Sequence, residues 1–148
     1  MKILVDADAC PSAIKDILIR AAERVRIPVI FIANQHVRLP VSDYISMILV
    51  EAGPDIADDR IVELAEDGDI VISEDIPLAD RAIDKGAFII STRGELYTKE
   101  NIKQRLATRD LLNDLRSAGI ETGGPDRLSQ KDIRMFANQL DRFLTKHC

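Results

Sequence analysis

The sequence predicts an α/β fold with a mainly parallel central sheet in three layers and a helical C-terminal part. Three observations carry this. Short apolar runs recur along the first 92 residues, at Ile3–Val5, Val29–Ala33, Ile70–Ile72 and Phe88–Ile90. Amphipathic, helix-period segments and short connections alternate with them, the pattern of strands joined by crossovers. The runs are apolar at every position rather than at every second one, as in strands covered on both faces. At 148 residues and 46% apolar content the chain is long enough to bury a core and is expected to form one domain over 1–148. With no Trp, that core must come from Ile, Leu, Val and Ala.

The first strand, ending at Val5, is followed at once by Asp6 and Asp8. Pro11 suits the first turn of a helix. Ile14, Ile17, Leu18, Ala21, Ala22 and Val25 repeat at helical spacing over Ser12 to Arg26. Pro28 stops it before the second strand. Asn34 to Pro40 reads as a loop carrying Gln35, His36 and Arg38. Tyr44 to Glu51 reads as a third strand ending near Val50, and Gly53-Pro54-Asp55 as a turn. Asp58 or Asp59 is expected to cap a helix from about Asp59 to Glu66. A buried strand over Asp69–Ser73 ends on Glu74 and Asp75. A helix over Pro77–Lys85, closed by Gly86, and a strand over Ala87–Ser91 follow. After Arg93-Gly94 no further strand is expected. Lys99 to Arg116 is helical, Gly119 to Asp126 is a loop, and Ser129 is the N-cap of a last helix carrying Ile133, Phe136, Leu140, Phe143 and Leu144.

Composition narrows the function. No apolar run approaches the ~20 residues of a bilayer span, and the N-terminus lacks a secretory pattern, so a cytoplasmic protein without a membrane partner is expected. The two Cys, Cys10 and Cys148, make neither a disulfide framework nor a zinc spacing. Cys10 reads as a small turn residue. The two His, His36 and His147, form no metal-binding pair. The net charge of −5 is unevenly spread: −8 over residues 1–92 and +3 over 93–148. An acidic front beside a basic rear fits a cation cup next to a surface that meets an anion.

The acids lie where chemistry would need them. Asp6 with Asp8, Asp58 with Asp59, and Glu74 with Asp75 all follow apolar strands or open helices. If the first and fourth strands are parallel neighbours, their acids converge on one sheet edge. That edge is where open parallel sheets bind ligands. Crowded carboxylates repel unless a cation lies between them, and hard cations such as Mg²⁺ or Mn²⁺ take such oxygen donors. Asp also serves as an ordinary N-cap, which is the alternative for each of these residues alone. On the basic side, Arg93 follows the last strand. Arg105 and Arg109, four apart on the next helix, share a face suited to phosphate. Lys103 is a lesser candidate.

Lys2-Ile-Leu-Val-Asp-Ala-Asp-Ala-Cys-Pro11, Asp55-Ile-Ala-Asp-Asp-Arg60, Asp69-Ile-Val-Ile-Ser-Glu-Asp-Ile-Pro-Leu-Ala79 and Gly123-Gly124-Pro125 together resemble the YaiI/YqxD family (DUF188, UPF0178) of uncharacterised bacterial proteins, over nearly the whole chain. That resemblance implies a PIN-like domain, a group whose members are commonly metal-dependent ribonucleases. It assigns Asp6, Asp59 and Asp75 to the catalytic positions, with Asp8 and Asp58 as supporting metal ligands. The acid that PIN nucleases usually carry in the middle region has only Glu51 and Asp55 as candidates. The expectation is a Mg²⁺- or Mn²⁺-dependent nuclease acting on nucleic acid, RNA ahead of DNA, with a homodimer as a possible assembly. A non-catalytic nucleic-acid- or protein-binding module that retains a metal site is the alternative. A phosphatase using an Asp nucleophile is a lesser one, because such enzymes need a Lys between the two acidic motifs and only Lys15 lies there.

Overall fold

The computed structural model describes residues 1–117 and 128–147. One six-stranded sheet organises them, formed by β1 (Ile3–Asp6), β2 (Val29–Ala33), β3 (Ile45–Leu49), β4 (Ile70–Ile72), β5 (Phe88–Ile90) and β6 (Leu96–Tyr97). Their order across the sheet is β3-β2-β1-β4-β5-β6. The first five pair in parallel, and only β5 with β6 is antiparallel. The first strand in sequence is therefore central. It pairs with β2 through Val5 opposite Phe31 and with β4 through Val5 opposite Ile72.

Among the described residues five α-helices cover the sheet: α1 (Ser12–Val25), α2 (Ile56–Leu64), α3 (Ile76–Asp84), α4 (Lys99–Ser117) and α5 (Gln130–His147). One apolar cluster joins alternate strand residues Ile3, Val5, Phe31 and Ile72 to Ile14 and Leu18 of α1 and to Phe136, Leu140 and Phe143 of α5. The opposite faces, Leu4, Ile32, Val71 and Ile89, pack with Ile61 of α2, Leu78 and Ile83 of α3, and Ile102 of α4. The period-two alternation of a strand splits each apolar run between two cores, giving three α/β/α layers. Among the described residues no helix is long and apolar enough to cross a membrane.

The expected boundaries shift in three places. β6 exists where no strand was expected. Ser91, Arg93 and Gly94 make a tight turn, with Gly94 N bonded to Ser91 O at 3.0 Å, and this returns two residues, Leu96 and Tyr97, against β5. Gly94 has φ +86°, and a Cβ there would lie 2.6 Å from the Met135 carbonyl carbon, so only glycine fits against α5. Helix α2 starts at Ile56, earlier than expected, and its cap is Asp55 (φ 63°) rather than Asp58 or Asp59. Between Asp6 and α1 the chain makes a single 3-10 turn over Ala7–Ala9, which no residue pattern there announces. Ser129 does cap α5: its hydroxyl accepts from Asp132 N at 3.1 Å, while Asp132 Oδ2 accepts from Ser129 N at 2.9 Å. The expected loop with Gly123-Gly124-Pro125 lies outside the described residues.

Candidate active site

β1 and β4 are adjacent and parallel, and the chain leaves them toward opposite faces, into α1 and α3. That divergence opens a crevice at the carboxyl ends of the two strands. Asp6 closes β1 there. Beyond β4, Ser73 is buried, and its hydroxyl links the two strand ends by donating to Asp6 Oδ2 at 3.2 Å and accepting from Asp75 N at 3.0 Å. Asp75 is the N-cap of α3, accepting from Leu78 N at 3.1 Å through Oδ1. This is the usual use of an Asp before a Pro-containing first turn.

The third carboxyl comes from α2. Asp58 lies in its first turn, within hydrogen-bonding reach of the Asp75 carboxylate and in the field of Asp6. Partial burial, then the negative charges of Asp75 and Asp6, push Asp58 up to about 7. Burial also raises Asp6, opposed by the Ser73 hydrogen bond and reinforced by the charges of Asp75 and Asp8. The crevice therefore holds three mutually repelling acids. Among the described residues, no group of three or more His, Cys, Asp or Glu side chains is already arranged as a ligand set for an ion.

The other expected site residues lie around this trio. Asp59 is one residue on from Asp58, about 100° further round the helix. It is exposed and accepts from Arg81 Nη1 at 2.9 Å. Asp8 is exposed, with Oδ2 accepting from Asn34 N at 2.8 Å, which ties the turn after β1 to the loop after β2. Glu74 accepts from the Thr92 hydroxyl. Arg93 is paired with Asp132 at 2.6 Å. Arg105 Nη2 is 2.8 Å from Glu95 Oε2, an ion pair not aligned as a hydrogen bond. Arg109 is exposed, 4.0 Å from Asp110. Lys103 is paired with Asp80 at 2.7 Å. Glu51 and Asp55 are both exposed.

The family model described as uncharacterized BCR, YaiI/YqxD family, matches residues 4–146. The chain belongs to the YaiI/YqxD family. A UPF0178 protein of Burkholderia cenocepacia strain HI2424 is 56% identical over 147 residues, covering 99% of this chain and 98% of that one. UPF0178 proteins of Colwellia psychrerythraea and Cupriavidus necator are 55% and 52% identical, each over 99% of this chain and over 97% and 96% of their own lengths. Among solved structures, the homospermidine synthase of Legionella pneumophila, in complex with NAD, superposes with a TM-score of 0.50 at 16% identity. It covers 90% of this chain and 38% of its own. That likeness concerns the fold alone.

Reading the YaiI/YqxD sequence missed two features of the site. The sequence places Ser73 at the end of a strand, yet its hydroxyl joins Asp6 to Asp75. A polar residue closing an otherwise apolar strand, directly before two acids, was the available signal. The second is a groove of about 470 Å³ beside Asp8, between the start of α1 and the loop after β2. Its residues are scattered over residues 7–39, and no spacing rule joins them.

Proposed function

We propose that this protein is a divalent-cation-dependent phosphodiesterase acting on nucleic acid, RNA in preference to DNA, with Asp6, Asp58 and Asp75 as its reactive acids. The observation that carries the reading is the crowding of these three carboxyls at the ends of two parallel strands, with Ser73 donating to only one of them. The donor set is all oxygen and partly buried, which suits Mg²⁺ or Mn²⁺ and not a softer ion. Asp6, Asp58 and Asp75 would hold the ion, with Asp8 in support. Asp59 would take part only after releasing Arg81. When bound, the ion supplies charge compensation at the phosphoryl oxygens.

The chain's own groups do the rest. Ser73 holds Asp6 and the start of α3 in register. Asp58, ionised once the ion is held, would accept a proton from an attacking water. Arg109 can approach a phosphate without giving up a short ion pair, whereas Arg93 and Arg105 would first have to release Asp132 and Glu95.

The test is single-turnover cleavage of mixed-sequence RNA with Mn²⁺, comparing the natural chain with Asp75→Asn. Cleavage lost in the variant supports the reading; no cleavage by the natural chain on RNA or DNA overturns it. A second reading, a binding module with a residual cation site, is favoured because Glu51 and Asp55, the candidates for a further acid, are both exposed. It predicts Mn²⁺ binding by calorimetry without cleavage. The phosphatase reading is weakened because Lys15, the one Lys between the two acidic motifs, makes no ion pair with Asp6 or Asp75.

A further inference from the structure

The groove beside Asp8 has a composition that neither core packing nor the carboxylate trio requires. Lys15, Asp16 and Ile19 line it from α1, and Gln35, His36 and Arg38 from the loop after β2, with Val37 and Leu39 adding an apolar wall. Gln35, His36 and Arg38 are exposed, and Lys15 is half-buried. Among the described residues, Lys15, His36 and Arg38 form no ion pair, unlike Arg93, Arg105 and Lys103. A groove of about 470 Å³ falls within the range of small-ligand sites.

We propose that this groove binds one nucleoside phosphate unit. Lys15 and Arg38 supply cations for the phosphate, Arg38 as a bidentate fork. The planes of His36 and Arg38 and the apolar Val37–Leu39 wall offer a surface for a stacked base. Gln35 can exchange hydrogen bonds with a base edge. Asp16 can accept from ribose hydroxyls, as acids do in dinucleotide sites. The mixture of two cations, an acid, an amide and an apolar wall is what a nucleoside phosphate needs and a simple anion does not. Asp8 fixes the position: it lines the groove while holding Asn34 N, and its charge reaches Asp6. A unit seated here lies next to the trio, so under the reading above it is the nucleotide adjoining the scissile phosphate. The ligand could equally be a free mononucleotide.

The experiment uses the full chain in EDTA and two probes. Adenosine monophosphate is followed by amide NMR shifts, and a short fluorescein-labelled single-stranded oligoadenylate by anisotropy. Shifts are expected in Lys15 and Gln35–Leu39. Lys15→Ala and Arg38→Ala should each weaken binding about tenfold, and each should flatten the log–log salt slope for the oligonucleotide by about one. Arg142→Ala, an exposed cation on α5, should change neither. Oligonucleotide bound far more tightly than the mononucleotide assigns the groove to a chain; equal affinities assign it to a soluble nucleotide. No binding of either probe, or affinity unchanged in both variants, overturns the proposal. RNA cleavage by the natural chain that Arg38→Ala leaves unaltered in KM also overturns it while leaving the nuclease reading intact. Groove-dependent binding without cleavage does the reverse.

Discussion

The carboxyl of Asp58 lies within hydrogen-bonding reach of Asp75, and partial burial together with the charges of Asp75 and Asp6 pushes Asp58 up to about 7. Asp58 and Asp75 come from different helices, so the pair links the first turn of α2 to the N-cap of α3. Its charge state is coupled to how these two elements meet.

Stability should therefore fall as pH rises through the range of Asp58. Its ordinary value is 3.8 and its folded value about 7. Between these the folded chain holds a proton that the unfolded chain has lost, so raising the pH favours unfolding. Below about pH 4 the contribution is complete, and above about pH 7 it is gone. Asp58→Asn should flatten this slope and, without divalent cations, stabilise the protein at pH 8. After discounting for solvent at a half-buried site, the gain is about 1–2 kcal/mol. Urea denaturation at pH 5 and pH 8 measures it; parallel slopes in both proteins would count against the raised Asp58.

Adding Mn²⁺ or Mg²⁺ at pH 7 should raise the melting temperature of the natural chain and release a proton from Asp58. A cation at a hundred times its dissociation constant stabilises by about 2.7 kcal/mol. EDTA should reverse the effect. Asp75→Asn should lose it while keeping α3 intact, because Asn is as good an N-cap as Asp. Calorimetry in two buffers of different ionisation enthalpy reads the released proton, and its absence from the natural chain would remove Asp58 from the ligand set.

Cys10 should be inert in the folded protein. Burial, ahead of the opposing charge of Lys15, pushes its thiol up to about 12. In a Cys148→Ser background, an aromatic disulfide reagent at pH 8 should react at the rate of global unfolding and speed up in urea. The same shift costs stability as pH rises from about 9 to about 12, where the unfolded thiol ionises and the folded one does not. Prompt reaction under native conditions would contradict the burial.

Gly94→Ala should destabilise by about 2–4 kcal/mol, from positive-φ strain plus the forced separation of the turn from the α5 backbone. Gly68→Ala, also at positive φ but with open space around it, should cost only the strain, about 1 kcal/mol. Denaturation midpoints of the two variants give the difference directly. Equal losses would show that the contact with Met135 yields freely.

The layered sheet was readable because the runs of β1, β2, β4 and β5 are apolar on both faces, and the meeting of Asp6 with Asp75 was readable because acids stand at or just beyond the ends of two such runs, although Asp75 also caps α3. The choice between Asp58 and Asp59 was not. The start of α2 is fixed by Asp55 through its backbone, with no side-chain cap bond to give a signal. Moving a helix start by a few residues decides which of two adjacent acids faces inward. β6 was hidden because two residues carry no periodicity. The sequence shows the basic residues but not their partners: Glu95 and Asp132 reach Arg105 and Arg93 only through the folded geometry.

The central place of β1 has a consequence for how the chain is made. This strand leaves the ribosome before the others of its sheet, yet one of its edges is paired only when Ile70–Ile72 arrives. Until then a wholly apolar strand, Ile3–Val5, offers an open edge to any neighbour. The nascent chain is thus most prone to aggregation between the emergence of β1 and that of β4. A slowed ribosome before residue 70 should lower soluble yield more than one slowed after it.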